Sequence, residues 1–209
     1  MMSWLRFPRA QSALELPLFP LKTVLFPGGV LPLKIFEQRY LDMAAERFKA
    51  EQPFGICLLT AGEEVATNRN APVSFAPIGT LAHTKSWDMP QLGILHLGIE
   101  GGQRFQVKSH QTQDDGLIRA EVQLLAAEPS AEITEEQQPM AKLLELLISR
   151  IGEERFGSAR LFDDASWVSY RLAEILPLKS SIKQNMLEVN DCEVRLRVLE
   201  QYLKREGLL

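Results

Sequence analysis

Ser180 and Lys183 stand three residues apart, a spacing that on a helix sets a hydroxyl one turn from an amine able to take its proton. No Ser-Asp-Asn or Lys-Thr-Gly partner accompanies them, so the reading is a serine at a helix start rather than a nucleophile. His83 and His96 lie symmetrically about a turn expected at Asp88–Gln91, and an undisturbed hairpin would set the two imidazoles opposite each other. Two ligands begin a zinc site, but three or four complete it. His110 falls out of that register, and neither cysteine is spaced to join, so a packed or surface histidine pair is expected and no metal. The adjacent acids Glu63-Glu64, Asp114-Asp115, Glu135-Glu136 and Asp163-Asp164 point apart from one another and suit solvated turns and caps better than paired acid–base work. Pro27-Gly28-Gly29 and Gly101-Gly102 supply tight turns, but neither opens a helix nor precedes a lysine as a phosphate cradle would. No Gly-x-x-x-x-Gly-Lys-Ser/Thr loop occurs, and no cofactor is expected.

The remaining chemistry-bearing signal is apolar and sits in connecting segments: Leu25 and Phe26 before the glycine turn, Phe75 in the 61–77 connection, Trp87 and Met89 at a hairpin tip. Aromatics with methionine suit adaptable binding of extended, unrelated peptides. The alternative is that these loops fold inward and plug a barrel. A proline-broken edge strand near Leu14–Leu21 offers a second route, through strand addition.

The elements that must position these residues fall into three stretches. From residue 14 to 36, prolines punctuate an apolar run and exclude a helix; short edge strands at Leu14–Leu18 and Val30–Phe36 flank the turn. Glu37–Glu51 then switches period, with Tyr40, Leu41, Ala44, Ala45 and Phe48 on one helical face. Phe54–Ala127 breaks into short apolar runs separated by turn residues, with strands at Phe54–Leu59, Ile78–Ser86, Leu92–Ile99, Arg104–His110 and Leu117–Leu125. Turns fall at Met89-Pro90, Gly101-Gly102 and Asp115-Gly116. Connections this short pair strands antiparallel, and such a meander curls into a partly closed barrel to hide its edges.

Residues 128–138, with four glutamates and two nearby prolines, read as a linker; 139–209 reads as helical. Pro139 opens one helix, Asp164 caps a second that Pro177 stops, and Ser181 with Gln184 and Asn190 with Glu193 have capping spacing for two more. The expected burial is Ile182, Met186 and Leu187 on the third helix and Leu196, Leu199 and Leu203 on the fourth. The expected organisation is thus an extension at 1–13, a barrel at 14–127, a linker at 128–138 and a helical subdomain at 139–209.

Composition is that of an ordinary globular chain: 209 residues, 45% hydrophobic, 24% charged, 2 Cys and a net charge of −4. That length buries roughly 70% of the unfolded surface without disulfide staples. No apolar run reaches the ~18 residues that span a bilayer, and residues 1–13 lack a continuous apolar core of a signal peptide. A cytoplasmic protein is expected, with no membrane partner. The acidic balance disfavours nucleic acid, whose phosphates demand a positive stripe.

Leu16-Pro17-Leu18-Phe19-Pro20-Leu21, Leu25-Phe26-Pro27-Gly28 and Val30-Leu31-Pro32-Leu33 resemble the opening of the amino-terminal substrate-binding domain of Lon proteases. The likeness continues through Ile78-Gly79-Thr80-Leu81-Ala82, Gly102-Gln103-Arg104-Phe105, Leu172-Ala173-Glu174-Ile175-Leu176-Pro177-Leu178 and Lys183-Gln184-Asn185-Met186-Leu187-Glu188. It covers about residues 14–205. The resemblance implies an α+β fold, a PUA-like antiparallel β pseudobarrel with one amphipathic helix followed by a C-terminal helical subdomain. It also implies a module that engages unfolded or tagged polypeptides, or a dedicated protein partner. The family's ATPase and Ser-Lys peptidase modules have no counterpart in these 209 residues, so a free-standing, non-catalytic protein of protein quality control is expected. An RNA-binding role of the barrel is the alternative, and would call for Lys85, Arg104, Lys108 and Arg119 to cluster on the surface.

Overall fold

A computed structural model describes residues 14–64, 73–152, 156–157 and 159–209. The expected extension at 1–13 lies outside the described residues, as does part of the 61–77 connection. Six strands, β1 (Leu14–Leu21), β2 (Val30–Ile35), β3 (Phe54–Ala61), β4 (Ser74–Gln91), β5 (Ile94–Thr112) and β6 (Ile118–Leu124), form one sheet in the order β2-β5-β4-β3-β1-β6. Pairing of β6 back onto β5 closes a ring, with β2 hung on the outside of β5. Helix α1 (Gln38–Lys49) follows β2, and α2 (Gln138–Ile151), α3 (Ala165–Ile175), α4 (Ser180–Glu188) and α5 (Cys192–Arg205) form the C-terminal helical region. The fold is therefore the α+β barrel with a helical follow-on that the sequence suggests.

The β3–β6 meander is antiparallel throughout, but β1 pairs β3 in parallel. That parallel pair needs a crossover, and β2 with α1 provides it. The prolines of β1 are accommodated by a handover. Leu14–Leu18 pairs β6 and Leu18–Leu21 pairs β3, so Pro17 and Pro20 each face a registered neighbour on one side only. The expected edge strand at Leu14–Leu21 is thus shared between two neighbours, each half paired on one side and Leu18 on both. β2 pairs β5 alone.

Two turns differ from expectation. The long hairpin of β4 and β5 reverses at Leu92-Gly93, with Gly93 at φ +82°, rather than at Met89-Pro90, because irregular register past Asp88 carries β4 on to Gln91. Gly101-Gly102 is no turn at all: β5 runs through it, joining two strands expected separately. These glycines are needed for close approach. A Cβ on Gly101 would lie 2.1 Å from the Phe26 carbonyl oxygen. The Pro27-Gly28 turn is fastened there by Gly28 N–H donating to Gly101 O at 2.7 Å and Gly101 N–H donating to Gly29 O at 2.8 Å. Gly101→Ala should cost about 3 kcal/mol in urea unfolding, the top of the overpacking range, since the obstacle is backbone. The expected Asp115-Gly116 turn is present, with Gly116 at φ +85°.

The helical region shares its core with the barrel. Val24, Phe26, Leu58 and Ala76 pack in one cluster with Met140, Leu144, Val168, Leu172, Leu196 and Leu199. Glu128, first residue of the expected linker, is held by the buried Arg195 of α5. Asp164 caps α3 by accepting from Trp167 N–H. Asp191, not Asn190, caps α5, because Asn190 turns its side chain to Arg104, and α4 has no side-chain cap. Ile182, expected inside, faces solvent, whereas Gln184 is buried and donates to Ile78 O at 2.9 Å. Polar side chains carry much of the barrel–helix junction.

Candidate functional site

The catalytic constellations do not assemble. Ser180 Oγ donates to Lys22 O and Lys183 Nζ to Glu174 O, so each is spent on a different backbone carbonyl. His83 stands across from Glu100 and His96 across from Asp88, since moving the hairpin tip displaces the register that would have paired the imidazoles. Among the described residues no three His, Cys, Asp or Glu side chains gather as metal ligands. Of the acid pairs, Glu63 and Glu64 both engage Lys22, and Asp115 accepts from Leu117 N–H. Cys57 and Cys192 are buried free thiols, and burial pushes Cys57 up to about 12 and Cys192 upward. At pH 8 native protein should react with a disulfide probe at least about a hundredfold more slowly than an exposed thiol, and both cysteines should react after unfolding.

Each of the four basic candidates has a partner within the chain, Lys108 through Gln106 Oε1 at 2.6 Å. Arg104 is buried and donates to Leu187 O (2.7 Å) and Val189 O (3.2 Å) and to Asn190 Oδ1. Its role is to satisfy the last carbonyls of α4 from the barrel side. Lys85 pairs with Glu100, and Arg119 bridges Glu15 and Glu46. Among the described residues no helix is long and apolar enough to cross a membrane.

The apolar candidates separate cleanly. Leu25 and Phe26 are buried, fixed by Thr80 Oγ1 donating to Leu25 O at 2.6 Å and by Arg171 donating to Pro27 O at 2.9 Å. Phe75 belongs to β4, half-buried and edge-on to His110 at 5.0 Å. Leu25 packs in the barrel core, Phe26 in the core shared with the helices, and Phe75 against the cluster around Phe105. Trp87 and Met89 do the opposite, at 55% and 45% exposed.

Trp87 and Met89 wall a groove of about 540 Å³ between α1 and the projecting β4–β5 hairpin. Its other walls include Leu41, Ala45, Phe48 and Leu92; Phe48 is half exposed and Leu92 is 93% exposed. The Phe48 and Trp87 rings meet edge-on at 5.8 Å. This geometry follows from α1's width of apolar arc. Tyr40, Met43, Ala44 and Arg47 turn into the barrel, with Tyr40 stacked on Phe19 at 4.0 Å, which leaves Leu41 half-buried at the core's margin and Ala45 and Phe48 exposed. The sequence reading put Leu41, Ala45 and Phe48 on the buried face and missed Phe48 and Leu92 as site residues. The signal was there: Met43 and Arg47 complete a second stripe, and only one stripe can face the core. Among its lining residues the only ionisable group is the lone carboxylate of Asp42; what such a groove can do is take apolar side chains out of water.

Comparison with known proteins gives one consistent result. Residues 15–205 match the profile of the ATP-dependent protease La (LON) substrate-binding domain. Lon protease 2 of Herpetosiphon aurantiacus is 28% identical over 94% of this chain and 24% of that protein, and the Lon protease of Escherichia coli is 24% identical over 95% and 26%. The chain spans about a quarter of the length of these curated relatives. Among solved structures, a Lon N-terminal domain protein from Xanthomonas campestris superposes with a TM-score of 0.72 at 32% identity, covering 90% of this chain and 98% of that one. The N-terminal domain of Mycobacterium avium complex Lon protease shares the fold, with a TM-score of 0.61 at 21% identity and coverage of 91% and 98%.

Proposed function

Because the chain belongs to the Lon substrate-binding domain family, we propose that it is a non-enzymatic polypeptide-binding or adaptor module that takes extended or unfolded apolar segments into the groove between α1 and the β4–β5 hairpin. The carrying observation is the groove itself: a tryptophan, a phenylalanine, a methionine and a leucine held open to solvent on a hairpin and a helix otherwise anchored to a closed ring. Soluble proteins seldom leave such side chains contiguous without a partner. The ring and the helices serve as the rigid platform. In this reading the protein works in the cytoplasm on unfolded or tagged polypeptides or one dedicated protein partner, without ATPase or peptidase chemistry of its own. The burial of Arg104 and the pairing of Lys85 and Arg119 with acids weigh against an RNA-binding reading.

The test is a fluorescence anisotropy titration with a labelled polypeptide kept unfolded by reduction and carboxymethylation of its cysteines. Saturable binding that weakens less than about threefold between 50 and 200 mM salt, and that RNA does not displace, is expected, since phosphate-driven binding falls by orders of magnitude over that range. Absence of binding, or loss to salt and RNA, would overturn the reading.

A further inference from the structure

The groove's one ionisable lining residue, Asp42, is acidic; Gln38 donates to it, and no cation pairs with it among the described residues. Asp88, beside Trp87, lies on the adjoining surface with Lys34 and His96 and has no ion pair among the described residues, so the acid facing the groove itself is Asp42. The ligand that best fits such a surface is apolar and positively charged. The chain carries a segment of that chemistry. Residues 1–13 hold Trp4, Leu5 and Phe7 within four positions, interleaved with Arg6 and followed by Arg9, and contain no acid.

The point where that segment joins β1 is on the correct side of the barrel. Glu15 lies 3.7 Å from Arg119, whose guanidinium also contacts Glu46 of α1 at 3.2 Å, so one arginine side chain separates the start of β1 from the helix that walls the groove. Thirteen residues reach about 40 Å when extended, well beyond that gap. We propose that residues 1–13 are a self-ligand of the groove, docking Leu5 and Phe7 against Trp87 and Phe48 with the arginines toward Asp42, so that an incoming polypeptide must displace them. This deepens the polypeptide-binding reading of the same groove and rests on it. A self-ligand covers the apolar walls when no client is present and sets a threshold affinity that weak clients fail to pass, because a ligand's apparent affinity falls in proportion to the fraction of open sites.

Two experiments on the full chain test it. In the first, a benzophenone amino acid replaces Phe7, and the products of irradiation are mapped by mass spectrometry. Crosslinks within one molecule to residues 38–49 or 87–97 are expected; crosslinks confined elsewhere, or only between copies, overturn the proposal. In the second, the variant carrying Leu5→Ser and Phe7→Ser is titrated with the labelled unfolded polypeptide. It should bind about three- to tenfold more tightly than the parent chain, corresponding to a site about 70–90% self-occupied; equal or weaker binding overturns self-docking while leaving the polypeptide reading intact. If neither protein binds the probe, the polypeptide reading fails, and the crosslink map alone decides whether the segment docks.

Discussion

Arg195→Ala should lower unfolding stability by about 3–5 kcal/mol, the cost of breaking a buried ion pair by removing one partner. Arg195 is fully buried on α5. Its Nη1 and Nη2 donate to Glu128 Oε1 at 2.8 Å and Oε2 at 2.5 Å, its Nε donates to Ser169 Oγ at 3.0 Å, and Nη1 also reaches Val189 O at 2.9 Å. The guanidinium lies 3.9 Å over the Tyr170 ring. One side chain thus ties α5 to α3, to the α4–α5 connection and to the chain leaving the barrel. Without it the Glu128 carboxylate, 6% exposed, keeps only the Ser166 hydroxyl among the described residues. Glu128→Ala should be similarly damaging, and the double variant should fall well short of the sum, because the second removal deletes the charge the first one stranded. Urea unfolding followed by circular dichroism reads all three. A loss below about 1 kcal/mol for Arg195→Ala would mean that Glu128 finds water and the junction stands on apolar packing alone.

That network explains where the sequence was readable and where it was not. Several local signals hold: Asp115-Gly116 and Pro27-Gly28 turn the chain, Pro139 and Asp164 open helices, and each apolar run expected as a strand falls on one of β1 to β6. These depend on residues within four or five positions of each other. Arg104 and Arg195 were unreadable, because a charged residue in a strand or helix reads as solvated unless one knows that Asn190 or Glu128 lies against it. Gly101-Gly102 was misread because two glycines in sequence look the same whether they bend the chain or admit the Phe26 carbonyl against a straight strand. The hairpin tip was misplaced since Met89-Pro90 carries a stronger turn signal than Leu92-Gly93, while the register that decides between them is set across strands. Half of the candidate site was legible for the same reason: Trp87 and Met89 sit on an exposed hairpin, but their partners Phe48 and Leu41 belong to a helix whose buried face the barrel chose.

Replacing Trp87 and Met89 together by serine should weaken binding of an unfolded polypeptide about 10- to 100-fold. An aromatic anchor at an interface centre is worth 2 kcal/mol or more on truncation, about 30-fold in affinity, and methionine adds to it. The same substitutions should cost about 1 kcal/mol of unfolding stability, well below a core truncation, because both side chains are about half in solvent. Phe26→Ala supplies the contrast. Phe26 is 1% exposed in the core shared by barrel and helices, so its truncation should cost about 3–5 kcal/mol. It should alter binding only through the fraction of protein that unfolds. Phe48→Ala discriminates further: its ring meets Trp87 at 5.8 Å, so its effect should be non-additive with that of Trp87→Ser if both form one binding surface. A Trp87 and Met89 variant that binds as the parent does would place the polypeptide site away from this hairpin, because these two side chains dominate what the groove offers to an apolar chain.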